Sequence, residues 1–193
     1  MTLPSTMTAM VSMGHGDLDQ MVLHKDWPRP DPAAGEVLIR VGACGLNNTD
    51  VNTRTGWYSK TVTEATTGGA FAEVCVYDPT WGGAPITFPR IQGADVCGKI
   101  VAVGAGVDPA RIGERVITDG WLRDAGDLGN INKTGYFGSE RDGGFAEFTT
   151  TPARNARAVR SSLSDAELAT FSCSYSTAEG MLNRAQGGAD DVV

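Results

Sequence analysis

The apolar runs of the first 160 residues are short and mostly bounded by Gly or Pro, and this punctuation limits the possible folds more than any other feature. In AAGEVLIRVGACGL a Gly-led turn precedes Val37, Ile39 and Val41 on one face, with Leu38 and Arg40 on the other, the alternation of a strand with at least one buried side. CGKIVAVGAGV, from Cys97 to Val107, repeats the texture, and RIGERVIT adds a short strand at Arg115 to Thr118. Phe145 and Phe148 follow a Gly pair, and a second β-like run ends at Val159. With 25 Gly in 193 residues the strands can turn often and tightly, so the expected fold is mainly β with some α, a closed or folded-over barrel rather than an open parallel sheet.

The texture changes at Ser164. There SDAE forms a capping box, Ser164 as N-cap and Glu167 three residues on, which predicts one helix or two short ones broken near Ser172 to Ser176. Leu168, Phe171, Ala178, Met181 and Leu182 fall at the spacings of a buried helical stripe. Gly187 and Gly188 end that segment, and ADDVV has the character of a further strand. Two stretches read as excursions: Thr61 to Phe88, a hairpin or long loop, and the polar, Gly-rich Asp119 to Gly143.

A formal net charge of −7 argues against attraction to nucleic acid or an anionic membrane surface, since both would repel it. No basic-then-apolar leader opens the chain, and no run approaches the ~18 apolar residues of a membrane span, so a cytoplasmic location is expected. Cys44, Cys75, Cys97 and Cys173 are widely spaced, without a C-x-x-C pair, and the two histidines, His15 and His24, both lie near the N-terminus. These cysteines read as reduced, mostly buried thiols.

Five motifs in order, AAGEVLIRV, GACGLNNTD, FPRIQGADVCGKIVAVGAGV, IGERV and GGFAEF, resemble the GroES-like catalytic domain of the medium-chain dehydrogenase/reductase superfamily. LSDAELATFSCSYSTAEGML resembles the helical link into that superfamily's nucleotide domain. The resemblance implies a substrate domain over 1–160, and over 161–193 a helical link and the first strand of a Rossmann domain that the chain lacks. No G-x-G-x-x-G follows a strand anywhere; GAGVDP, Gly104 to Pro109, lacks the third Gly and runs into another strand, so it is expected to be a β-turn rather than a phosphate loop. The cofactor implied is NADP(H) or NAD(H), with its binding residues not among these motifs. The chain alone is expected to be inactive, and a homo-oligomer is expected from apolar helix faces left uncovered.

The family's zinc enzymes carry a metal thiolate where this chain has Asn47, a Gly-His-Glu where it has Gly93, Ala94 and Asp95, and a third thiolate that Cys173 matches. One such ligand in three does not make a tetrahedral site, and an amide oxygen is a poor substitute for thiolate or imidazole, so no catalytic zinc is expected. The four-cysteine structural zinc lobe is absent too, since no Cys lies between Val116 and Gly143. What remains resembles the zinc-free quinone reductase branch, which has an Asn at that position and a tyrosine matched by Tyr58. The Asn48-Thr49 pair and the long Thr61 to Phe88 stretch depart from it. The implied reaction reduces a carbonyl, enone or quinone, with a nicotinamide supplying the hydride and the protein stabilising charge on oxygen.

Asn47 and Thr49 offer an amide and a hydroxyl for that purpose, and Tyr58 a proton or a stacking wall. Asp50, Asp95 and Cys173 are candidates for the pocket. The plainer alternatives are a tight turn at Asn47, a helix cap at Thr49 and Asp50, a core position for Tyr58, and local hydrogen bonding of Asp95 near Arg54. Two other functions compete: a zinc alcohol dehydrogenase with atypical ligands such as Cys173 and Asp95, and a non-catalytic GroES-like binding module.

Overall fold

The structure is a computed structural model that describes residues 2–58, 85–186 and 188. Ten strands and three α-helices lie within these residues: β1 (Thr6–Ser12), β2 (Met21–Pro28), β3 (Glu36–Gly45), α1 (Asn48–Thr55), β4 (Arg90–Ile91), β5 (Asp95–Val103), β6 (Arg115–Thr118), β7 (Trp121–Leu122), β8 (Gly135–Tyr136), β9 (Phe148–Pro152), β10 (Ala156–Ala158), α2 (Asp165–Leu168) and α3 (Ser174–Ala185). A five-stranded sheet runs β10-β6-β5-β3-β9, a three-stranded sheet β2-β1-β4, and β7 pairs with β8. All these ladders are antiparallel. A bridge from Ala9 to Ala146 joins β1 to the approach to β9, and the curled sheets make the expected folded β barrel.

Its centre is β3, where Val37, Leu38 and Ile39 are all fully buried because both faces are covered. Val37 and Ile39 meet Val96, Ile100, Val116 and Phe137 on one side. Leu38 meets Met7, Val11, Ile91 and Phe148 on the other. Each such side chain contributes about 1.5–3 kcal/mol by leaving water. Arg40 remains exposed, and Val41 is only partly buried. β1 was not among the expected strands, although its Met7, Ala9 and Val11 alternate and are all buried.

The segment at Gly104 turns as expected: Val107 N–H donates to the Gly104 carbonyl at 3.2 Å, and Gly106 takes φ 81°. The 119–143 stretch is less peripheral than its composition suggests, for Thr134, Tyr136, Phe137 and Ser139 at its end are buried. Residues 59–84, with most of the expected Thr61 to Phe88 excursion and Cys75, lie outside the described residues, as does the expected strand at ADDVV.

α2 opens on the Ser164–Glu167 capping box, and the helical segment breaks over 169–173, just before α3. Leu168 is buried, but Ala178, Met181 and Leu182 are exposed, which corrects the expected buried stripe. The spacing marks an amphipathic face without saying what covers it, and no residue of α3 is buried by the described part of the chain. No helix among the described residues is long and apolar enough to cross a membrane.

Candidate functional site at the start of α1

β3 ends at Gly45, and two residues later Asn47 sits in extended backbone (φ −129°, ψ 160°) as the N-cap of α1. Its Oδ1 accepts from Thr49 N–H at 3.3 Å, while Asp50 Oδ2 accepts from Asn47 N–H at 2.9 Å. The plainer alternatives are met in part: Asp50 belongs to the cap as expected, but Asn47 is the N-cap rather than a tight-turn residue, and Thr49 supplies only its backbone N–H to the cap. Asn47 and Asp50 also reach outward. Asp50 Oδ1 accepts from Gly93 N–H at 3.2 Å, and Gln92 Nε2 donates to the Asp50 carbonyl at 3.1 Å, which ties α1 to the turn before β5. Gly93 is required there: it has φ 96°, and a Cβ would stand 2.6 Å from the Phe145 ring and 2.7 Å from Cys44 Sγ.

Asp95, the first residue of β5, is 3% exposed. Its Oδ2 accepts from Asn47 Nδ2 at 3.4 Å and its Oδ1 from Cys173 N–H at 2.8 Å, so one carboxylate joins the start of α1 to the start of α3. The expected neighbour Arg54 is elsewhere: its guanidinium donates to the Gly16 carbonyl and pairs with Asp17 at 3.5 Å. Arg54 ends α1 on the side of the β1–β2 connection, whereas Asp95 meets the helix start. Close approach at Gly45, where a Cβ would lie 3.2 Å from Asp95 Cβ and 2.6 Å from the Ala169 carbonyl, brings β3, β5 and the α2–α3 break together.

Tyr58 follows α1, and its hydroxyl accepts from Asn52 Nδ2 at 3.3 Å; its ring meets Trp57 edge-on at 5.3 Å. Thr49 Oγ1 is shut off from solvent without a hydrogen-bond partner among the described residues. Cys173 is half-buried, and its thiol hydrogen-bonds the Tyr136 side chain. Tyr136, Asn52 and Gln92 were not anticipated. Tyr136 arrives by the β7–β8 pairing, 37 residues before Cys173, and no local pattern announces that meeting.

Burial dominates the electrostatics. It pushes the Asp50 carboxyl up to about 6 against the hydrogen bonds from Asn47 and Gly93, with Asp95 adding to the rise. Burial raises Asp95 too, opposed by the bonds from Cys173 and Asn47. The Cys44, Cys173, Tyr58 and Tyr136 side chains are all raised, in each case first by burial. Burial thus holds the thiols and phenols of the cluster toward their protonated forms, while Asp95 accepts at both of its oxygens and organises the donors around it. Among the described residues no three His, Cys, Asp or Glu side chains are grouped so as to hold a metal ion.

The barrel with a polar cluster at the β3–α1 junction defines a class, a GroES-like domain. Residues 33–161 match the alcohol dehydrogenase GroES-like domain family, and the chain belongs to that family, within the medium-chain dehydrogenase/reductase superfamily. The chain is 47% identical to a candidate alcohol dehydrogenase of Sinorhizobium meliloti 1021 of known structure, with a TM-score of 0.82, over 98% of this chain and 50% of that one. A candidate alcohol dehydrogenase, AdhA of Mycobacterium tuberculosis, is 32% identical over 88% of this chain and 46% of its own length. A cobalt- and zinc-bound thermostable alcohol dehydrogenase from Pyrobaculum aerophilum is 26% identical, with a TM-score of 0.68, over 93% of this chain and 48% of that one. The chain thus spans about half the length of these relatives.

Proposed function

We propose that this chain forms the substrate side of a nicotinamide-dependent oxidoreductase that reduces small carbonyls, enones or quinones without a catalytic zinc. The observation that carries this is the makeup of the cluster: a carboxamide at Asn47 and a methyl group at Ala94, where the family's zinc enzymes have thiolate and imidazole. The donors that remain do not fit the ion. Asn47 is engaged as a helix cap and with Asp95, both Asp95 oxygens already accept, and Cys173 alone leaves one thiolate where a catalytic site needs three protein ligands.

NADPH or NADH supplies the hydride in this reaction. Asn47 Nδ2 has two hydrogens, one directed at Asp95, and the other is available to a substrate oxygen. Tyr58 adds a hydroxyl at the same end of the barrel, the Thr49 hydroxyl lies shut off from solvent beside it at the start of α1, and Tyr136 hydrogen-bonds Cys173. Asp50 holds α1 against Gly93, so these donors keep their spacing as charge develops. On this proposal residues 1–160 form the substrate domain and 161–193 lead toward the dinucleotide. The 193 residues contain no G-x-G-x-x-G sequence, and the chain alone is expected to bind NADPH more weakly than micromolar.

Titrating isotope-labelled chain with benzaldehyde tests the proposal. The Asn47 side-chain amide and the Thr49 and Tyr58 resonances should shift together; shifts confined to other surfaces would overturn it. Elemental analysis after incubation with zinc chloride and dialysis should find far less than one zinc per chain, whereas a stoichiometric ion would restore the zinc alcohol dehydrogenase alternative.

A further inference from the structure

We propose that Asp95 is the positioning residue of this cluster, the carboxylate that sets the orientation of the Asn47 amide and locks the start of α3 to it. This deepens the function proposed above, and rests on it for the use made of the Asn47 amide. The argument starts from connectivity. Asp95 is buried, and its two oxygens bond to two different elements, Asn47 Nδ2 at the head of α1 and Cys173 N–H at the head of α3. Asp95 forms no ion pair among the described residues. Without a cation to hold it, the carboxylate is placed by these hydrogen bonds and by the strand that carries it.

An asparagine amide has an oxygen end and a nitrogen end. The oxygen of Asn47 faces Thr49 N–H and the nitrogen faces Asp95. Turned over, the amide would lose its bond to Thr49 N–H and place its oxygen against a carboxylate oxygen, so Asp95 selects one of two orientations. The selected one aims N–H donors, rather than a carbonyl, at the space beside Asp95. Bonding to an anionic acceptor also polarises the amide and strengthens its second N–H as a donor. At 2.8 Å the Cys173 contact is the shorter of the two, and it fixes where the Cys173 thiol and its Tyr136 partner stand relative to Asn47.

Three variants of the full chain separate this role from general support of the fold. In Asp95→Asn the new side chain keeps an oxygen for Cys173 N–H but presents an NH₂ group to Asn47. The Asn47 amide then either faces donor with donor or turns and gives up Thr49 N–H. Hydrogen exchange at the Thr49 backbone amide should rise about tenfold, the loss of roughly one such bond, while Cys173 N–H keeps its protection. Asp95→Ala should expose both. The exchanged pair Asn47→Asp with Asp95→Asn restores a donor facing an acceptor and keeps a good N-cap, so Thr49 protection should return to within about threefold of the parent.

The Asn47 side-chain amide resonance provides a spectroscopic check in the parent and in Asp95→Asn, which should differ. A folded Asp95→Asn variant with unchanged Asn47 and Thr49 signals overturns the proposal, and so does a folded exchanged pair without recovery. None of these readouts requires a carbonyl to bind. Failure of the benzaldehyde shifts with these exchange effects intact would therefore reject the proposed function and leave the positioning role standing.

Discussion

Two helices of this chain begin with the same device and use it in opposite surroundings. At α1, Asn47 caps and Asp50 returns the bond to the Asn47 N–H; at α2, Ser164 caps and Glu167 returns the bond to the Ser164 N–H at 2.7 Å. The first box lies against Gly93 and Asp95, and burial drives its carboxyl up. The second stands in water, and its bonds from Ser164 draw the Glu167 carboxyl down. An identical local motif therefore ends with opposite proton affinities, because desolvation outweighs hydrogen bonding in one place and is nearly absent in the other.

The largest expected effect separates the boxes by pH. Asp50 rises from an ordinary 3.8 to about 6, so the native state holds this proton more tightly than the unfolded chain does. Its stabilising effect is full below about pH 4 and lost as pH rises through 6, a change of about 3 kcal/mol at 1.36 kcal/mol per pH unit. Glu167 has the opposite sign: its contribution is present above the ordinary carboxylate range and is lost on acidification. Urea unfolding of the parent and of Asp50→Asn between pH 4 and 7 should show the parent losing stability relative to the variant as pH rises. Parallel profiles would mean that Asp50 is not desolvated and that the two boxes are alike.

Gly93→Ala should come next. The added methyl meets the Phe145 ring and Cys44 Sγ at a positive φ, and either the turn moves or those two side chains do, at about 1–3 kcal/mol. Since Gly93 N–H also donates to Asp50, the Asp50 resonance should move with the loss of stability. A stable variant with an unmoved Asp50 would show the buried box to be independent of its neighbour. Ser164→Ala removes only a cap in water and should cost about 1 kcal/mol at pH 7 by urea unfolding. A cost of about 3 kcal/mol or more would show that box to be coupled to the barrel as well, through the Arg115–Asp165 pair at 2.6 Å.

The contrast also explains what could be read in advance. Ser164 and Glu167 are three residues apart and answer to each other alone, so the start of α2 was visible in four letters. The barrel was visible for a similar reason, since Val37, Leu38 and Ile39 are buried by a strand pattern that repeats in β5 and β6. Across Asn47 to Asp50 the letters pointed to a turn and a helix cap as well as to a site, and the structure gives a cap that begins at Asn47 itself. The links from Asp50 to Gly93, from Asp95 to Cys173 and from Tyr136 to Cys173 span 43, 78 and 37 residues. No short-range spacing encodes such meetings; the plainer reading of Asp95 as a local hydrogen-bonding residue holds, but its partners are Asn47 and Cys173, while Arg54 at the other end of α1 meets Gly16 and Asp17.

The smallest effect belongs to α3. Its apolar spacing predicted a buried stripe, yet Met181 is 66% and Leu182 40% exposed. Met181→Gln should therefore change urea stability by less than about 0.5 kcal/mol, the range of exposed sites away from caps and cores. A stripe packed within these 193 residues would instead cost about 2–5 kcal/mol on losing a large apolar side chain. If the larger value were found, α3 would fold back onto the barrel in solution, and the head of α3, where Cys173 meets Asp95, would be held from both ends. The smaller value leaves Asp95 as the principal tie between α3 and the cluster, which is the condition under which its hydrogen bonds decide where Cys173 stands.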